Sequence, residues 1–487
     1  MSIFYHLKPA LVWKYFEEIC RIPRTSRNEE NIRRYLIDFA SGINLKWKED
    51  DAGNILIIKP ASPDMDNIRS VVLQSHMDMV GEKEAGSGHD WLRDPVKPVV
   101  HNGWVSASGT TLGADDGIGI AAQMAILSDK RLKTGKIEAL FTVDEETGMT
   151  GANNLKPGFF ESRILLNLDS EDEGIIYIGC AGGIETSGII RYVPEPVKED
   201  DMICLKISVS GLHGGHSGDE IHKGYGNAIK LIARFIISLQ AELEVKLAVL
   251  EGGNLRNAIP REACSMIVFN KQNSVRVFNA AENYRSLLEN EIGAVEKEFR
   301  ISVEDEKFPR FVMDRENCRK LLETVDCIPH GVIDWSKEMD DLVETSSNLA
   351  SIKFKGDNLI SIITTQRSSV ETGKKKAADM VAICLRKAGA EVTHSQSYPG
   401  WKPNTSSEIL KIAKSSYQRL FGKDPSIKAI HAGLECGVIY DRIRDIDMIS
   451  IGPTIRGAHT IEEKLEIKSV KMFWDLLVEI IKNIPEK

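Results

Sequence analysis

Four short apolar runs constrain this chain most: SVVLQSH (70–76), IEALFTV (137–143), RILLNLD (163–169) and DMISIGP (447–453). Each is continuously apolar rather than alternating, which is how a strand buried on both faces reads. The first three run directly into acidic or imidazole side chains. Helical periodicity lies between them, as in IGIAAQMAILSD (118–129). The pattern predicts an α/β layer with a largely parallel sheet, whose ligands collect beyond the carboxyl ends of the strands.

From DMICLKISVSG to about residue 392, alternating strands (CLKISVSG, KLAVLEGG, CSMIVFNK, LISIITTQRSS) mix with long amphipathic helices, and α/β character then resumes. The expectation is a discontinuous α/β domain, 1–185 and 393–487, interrupted by an inserted α+β domain, 186–392. VEKEFRISVEDEKFPRF (295–311) reads as a charged surface insertion. MSIFYHLKPALVWKYFEEIC reads as an amphipathic helix rather than a leader, and no apolar run reaches membrane-spanning length. Net charge is −9, without a basic run, so neither nucleic acid nor a membrane is an expected partner. Eight cysteines without a CxxC pair predict reduced thiols in a cytoplasmic protein, and leave His, Asp and Glu to hold any metal.

Those residues sit at the predicted strand and turn ends: His76 and Asp78 in SHMDMV, Asp115 and Asp116 in GADDGIG, Glu145 and Glu146 in DEETG, and Asp169 in NLDSED. Imidazole with several carboxylates is a transition-metal donor set, usually for zinc. Carboxylates gathered without Cys suggest two ions sharing a bridging acid. His76 and Asp78 are two apart on extended chain and face one way, so the acid can orient the ring. Of Asp115 and Asp116, one can cap a helix while the other bridges. His459 in GAHT offers a sixth group, 290 residues beyond Asp169, placed before a helix by a Thr460–Glu463 capping box.

Together SHMDMV, GADDGIG, DEETG, NLDSED and GAHT resemble the di-zinc metallopeptidases that include aminoacylase, carboxypeptidase G, carnosinase and the bacterial dipeptidases. GLHGGHSGDEI, GGNLRNAIPREA and HAGLECG resemble its dipeptidase branch. The resemblance implies two zinc ions, with manganese or cobalt as alternatives. It implies Asp115 as the bridge, His76 and Asp169 on one ion, and Glu146 and His459 on the other. Glu145 would be the general base, and Asp78 would orient His76. The Asp115–Asp116 peptide would be cis. In the inserted domain, a lid, it implies His216 as an oxyanion donor, with Asn257, Arg367 and Gly433 holding the C-terminal carboxylate of a short peptide. His213, His222 and His431 receive no role. The implied activity is hydrolysis of dipeptides, Xaa-His and carnosine-like ones included, through a zinc-bridged water. A homodimer through the lid is a further implication. The alternatives are an N-acyl amino acid deacylase and a non-catalytic zinc-dependent binding protein.

Overall fold

The computed structural model describes residues 3–395 and 397–487. The chain forms two compact units. Unit 1 comprises Met1–Cys180, Trp401–Ala429 and Leu434–Lys487; unit 2 comprises Ala181–Gly400 and Ile430–Gly433. The changeovers thus lie at 180/181 and 400/401, against the expected 185 and 392, and unit 2 also takes the short return 430–433.

Unit 1 is built on an eight-stranded sheet. Its centre is parallel: Ile137–Thr142, Val71–His76, Ile164–Asn167 and Asp447–Ser450 lie side by side. These are the four apolar runs of the sequence, and Val71–His76 and Ile137–Thr142 are buried at every position. Antiparallel strands flank them, Ile55–Lys59 on one side and Ile175–Cys180 on the other. The helix Ala114–Ser128 is buried almost throughout and shares a core with the N-terminal helix Ala10–Cys20. Its first turn is irregular: Asp115 and Asp116 leave helical φ/ψ, and the peptide between them is cis, as expected.

Unit 2 carries a nine-stranded sheet, antiparallel at every pairing described. Leu205, Ile207 and Val209 alternate with partly exposed residues along Met202–Ser210, the pattern of a sheet buried on one face. They share a core with Ile232, Phe235 and Ile236 of Ala228–Gln240, Leu321 and Val325 of Arg315–Cys327, and Val381 and Leu385 of Glu371–Lys387.

Three sequence expectations are corrected. Part of the charged stretch 295–311 is not an insertion: Arg300–Asp305 is an edge strand paired with Met202–Ser210. Its charges suit an edge, where they discourage further strand pairing. Not every thiol is free: Cys327 and Cys384, 57 residues apart, form a disulfide between two packed helices. No short spacing signals such a pair. Nor does His459 precede a helix. It lies at positive φ in a turn between Ile455–Arg456 and Lys464–Glu466, and the helix begins at Ile467. Among the described residues no helix is long and apolar enough to cross a membrane.

Candidate metal centre and active site

The parallel strands of unit 1 deliver their acids and imidazole to one place. His76 ends its strand, the DEETG turn follows Thr142, and Asp169 follows Asn167 by two residues. His76 Nε2 lies 3.0 Å from Asp115 Oδ1 and 3.3 Å from Asp169 Oδ1. His459 Nε2 lies 3.1 Å from the other oxygen, Asp115 Oδ2, and 3.0 Å from Glu146 Oε2. Two donor groups result, His76–Asp115–Asp169 and Asp115–Glu146–His459, with Asp115 shared between them. Glu145 joins His76 and Glu146 in a third.

Asp78 is fully buried beneath them. Its Oδ1 is 3.4 Å from His76 Nδ1 and accepts the Glu145 amide at 3.0 Å. Its Oδ2 accepts the Glu146 amide at 3.2 Å and the Ser26 hydroxyl at 2.8 Å. One carboxylate thus orients both the His76 ring and the turn carrying Glu145 and Glu146. Asp144, first of the three consecutive acids, takes left-handed φ and accepts hydrogen bonds from the Thr147 and Thr150 hydroxyls. Its amide donates to Glu29 Oε1 at 3.0 Å.

Sequence reasoning missed two supporting acids. Glu463, read as part of a capping box, is instead buried and accepts the amides of Leu112, Gly113 and Ala114 at 2.7–2.9 Å. It holds the turn that presents Asp115. Glu435 is fully buried, taking the Gln74 amide at 2.7 Å and the Thr142 hydroxyl at 2.6 Å. It therefore ties together the strands that carry His76 and the DEETG turn.

The electrostatics describe a site built for cations. Burial drives Asp169 up to about 7, against the opposing pull of His76. Burial also drives Glu145 well above the carboxylate range. Hydrogen bonds to Asp115 and Glu146 hold His459 at about 11. Burial works against the charged form of His76, but Asp169, Asp115 and Asp78 outweigh it and hold the imidazole well above its usual value. Glu146 Oε1 is buried without a hydrogen-bond partner among the described residues. Crowded carboxylates, two imidazoles on one shared acid and an orphaned carboxylate oxygen fit divalent cations.

The profile of peptidase family M20/M25/M40 matches residues 72–483, most of the chain. The chain belongs to peptidase family M20/M25/M40. It is 40% identical over 490 residues to the cytosol non-specific dipeptidase of Escherichia coli (strain K12), covering 100% of both chains. The crystal structure of aminoacylhistidine dipeptidase from Vibrio alginolyticus superposes with a TM-score of 0.94 at 40% identity, over 100% of this chain and 99% of that one. A tripeptidase from Staphylococcus aureus shares the fold at 19% identity, TM-score 0.57, over 98% and 99%. Membership makes the chain a peptidase and implies divalent metal ions, for which the groups of unit 1 are candidate ligands.

Within unit 2 the other expected residues also gather. His216 Nδ1 lies 3.1 Å from Asp219 Oδ2, and His216 bridges to Ala258, next to Asn257. The Asn257 side chain is exposed, and its carbonyl accepts the Ser217 amide at 2.8 Å. Arg367 is buried; its Nη1 donates to Tyr398 Oη at 3.0 Å and its Nε has no partner among the described residues. Ser346 pairs with Arg367 across the sheet and bonds His431 Nε2 at 2.8 Å, two residues before Gly433. A Cβ on Gly218 would fall 2.6 Å from the His431 carbonyl oxygen, so only glycine lets these loops approach so closely. His431 is one of the three histidines the sequence left without a role.

Proposed function

We propose that this chain is a metal-dependent dipeptidase that holds two divalent ions, zinc by donor preference, on His76, Asp115, Asp169, Glu146 and His459. The observation that carries the reading is the sharing of Asp115, one oxygen facing each imidazole. The dipeptidases of E. coli and V. alginolyticus, each 40% identical along the whole chain, support the substrate class. Xaa-His and carnosine-like dipeptides belong to that class, and the E. coli relative's name supports a cytosolic location.

When bound, such ions lower the pKa of a water to near 7 and polarise the scissile carbonyl. Glu145 removes the water's proton and passes it to the leaving amine. Asp78 holds His76 and, through the two amides, the Glu145–Glu146 turn. His216 is the proposed oxyanion donor, and Arg367, Asn257 and the Gly433 backbone are the proposed partners of the C-terminal carboxylate. The role of unit 2 is that of a lid, and a homodimer through it is part of the same reading.

The test is a panel of free dipeptides, β-alanyl-histidine included, run beside N-acetyl amino acids on zinc-loaded protein. Dipeptide turnover that disappears on chelation supports the reading. Preferential turnover of the acyl amino acids would make the chain a deacylase instead.

A further inference from the structure

Arg24 is 2% exposed, and among the described residues no carboxylate pairs with it. A guanidinium buried without a counter-charge in contact is unfavourable unless its N–H groups find other acceptors. Here carbonyls accept. Nη1 donates to the Met77 carbonyl at 2.9 Å and to the Asp78 carbonyl at 2.7 Å, and Nη2 donates to the Gly113 carbonyl. The Arg24 carbonyl in turn accepts the Met79 amide at 3.1 Å.

These carbonyls belong to the two segments that carry His76 and Asp115. Met77 and Asp78 follow His76 directly, and Gly113 stands two residues before Asp115. The Asp78 carbonyl held by Arg24 is also 3.2 Å from His76 Nδ1. With Nε2 free for a metal, Nδ1 carries the ring proton and donates it to that oxygen. The Gly113 peptide is gripped at both ends: Glu463 accepts its amide at 2.9 Å, and Arg24 donates to its carbonyl.

The GADDGIG stretch leaves room for this side chain. A Cβ on Gly117 would fall 2.6 Å from Arg24 Nη2, and one on Gly113 would fall 2.7 Å from the same nitrogen. The guanidinium therefore lies against the start of helix Ala114–Ser128, where any larger residue at either position would displace it. A lysine has one ammonium on a flexible stem and no planar fork with which to span two segments at once.

We infer that Arg24 is a positioning residue of the metal centre, whose fork fixes the spacing between His76 and Asp115 and so sets the affinity for the ion these two share with Asp169. This rests on the metal reading of the donor groups.

The test is competition titration of zinc against a chromophoric chelator on wild type, Arg24→Lys and Gly117→Ala. The visible absorption of the cobalt-loaded proteins and the melting temperature of the metal-free proteins are recorded alongside. Arg24→Lys keeps the charge and loses the fork, whereas Gly117→Ala keeps the arginine and pushes on Nη2. Each should weaken zinc binding by roughly 10- to 100-fold, the range for groups that orient metal ligands, and should shift the cobalt bands. If Arg24→Lys fails to fold, Gly117→Ala decides alone. Wild-type zinc affinity and cobalt bands in folded Arg24→Lys would overturn the inference, even with a lowered melting temperature, because Arg24 would then serve the core only. A wild type that takes up no zinc would overturn the metal reading and this role with it, so the two failures are told apart.

Discussion

Asp115 offers one oxygen to each imidazole, so deleting the shared acid and deleting one imidazole should differ. Asp115→Ala is expected to lose both ions, and His459→Ala to lose one while His76 and Asp169 keep the other. Elemental analysis by mass spectrometry after gel filtration reads this directly; identical losses would break the bridging assignment. Glu145→Gln should keep metal and lose roughly 10²- to 10⁴-fold in kcat, the scale of a lost general base. Near wild-type turnover would reassign the base. These residues were legible because each chemical group follows a buried strand or opens a helix, and residue order alone puts them there. The spacing of Glu463 gave the wrong reading. A Thr-x-x-Glu pattern fits a helix start, yet here the carboxylate serves the backbone amides of a segment about 350 residues earlier. Glu435, first residue of the helix Glu435–Arg442, gave no local signal, because its partners Gln74 and Thr142 lie 361 and 293 residues away in the sequence.

At the scale of elements, the turn before helix Ala114–Ser128 depends on Glu463. Glu463→Ala leaves three buried amides without their acceptor and should cost roughly 3 kcal/mol or more. Urea unfolding and zinc affinity should both reveal the loss. If zinc affinity holds while stability falls, the turn does not position Asp115. In unit 2, burial and then the Arg367 charge depress His431 to about 3, against the usual imidazole value near 6.5. The folded state therefore binds fewer protons than the unfolded chain below pH 6.5. This contribution to stability is complete above pH 6.5 and falls away as pH drops towards 3. His431→Asn should flatten the decline of melting temperature between pH 7 and pH 5; an equally steep decline would place the acid sensitivity elsewhere. The parallel strands were readable as uninterrupted apolar runs, whereas Arg300–Asp305 was not. A charged edge strand and a charged loop have the same composition and differ only in whether a neighbour's backbone is there to pair with.

For the whole molecule, the proposed ions would be part of the fold of unit 1. Each ion, at a free concentration about 100 times its Kd, adds roughly 2.7 kcal/mol. Removing both by chelation should lower the melting temperature by roughly 10 °C. It should also speed hydrogen exchange at 76–78, 113–117, 144–149 and 457–463, while leaving Leu359–Ser368 in unit 2 unchanged. Exchange that rises uniformly, or nowhere, would separate the acids from the cations. The broad plan, an α/β unit interrupted by an α+β unit, was visible in the change of pattern read at 186–392, whereas the structure changes over at 180/181 and 400/401. The return of 430–433 to unit 2 was not visible, because four residues carry no periodicity. The most direct test of the account is stepwise zinc addition to stripped protein while dipeptide turnover is followed. Activity should rise from baseline and level off at about two equivalents per chain. Full turnover in stripped protein, or a plateau at one equivalent, would contradict it.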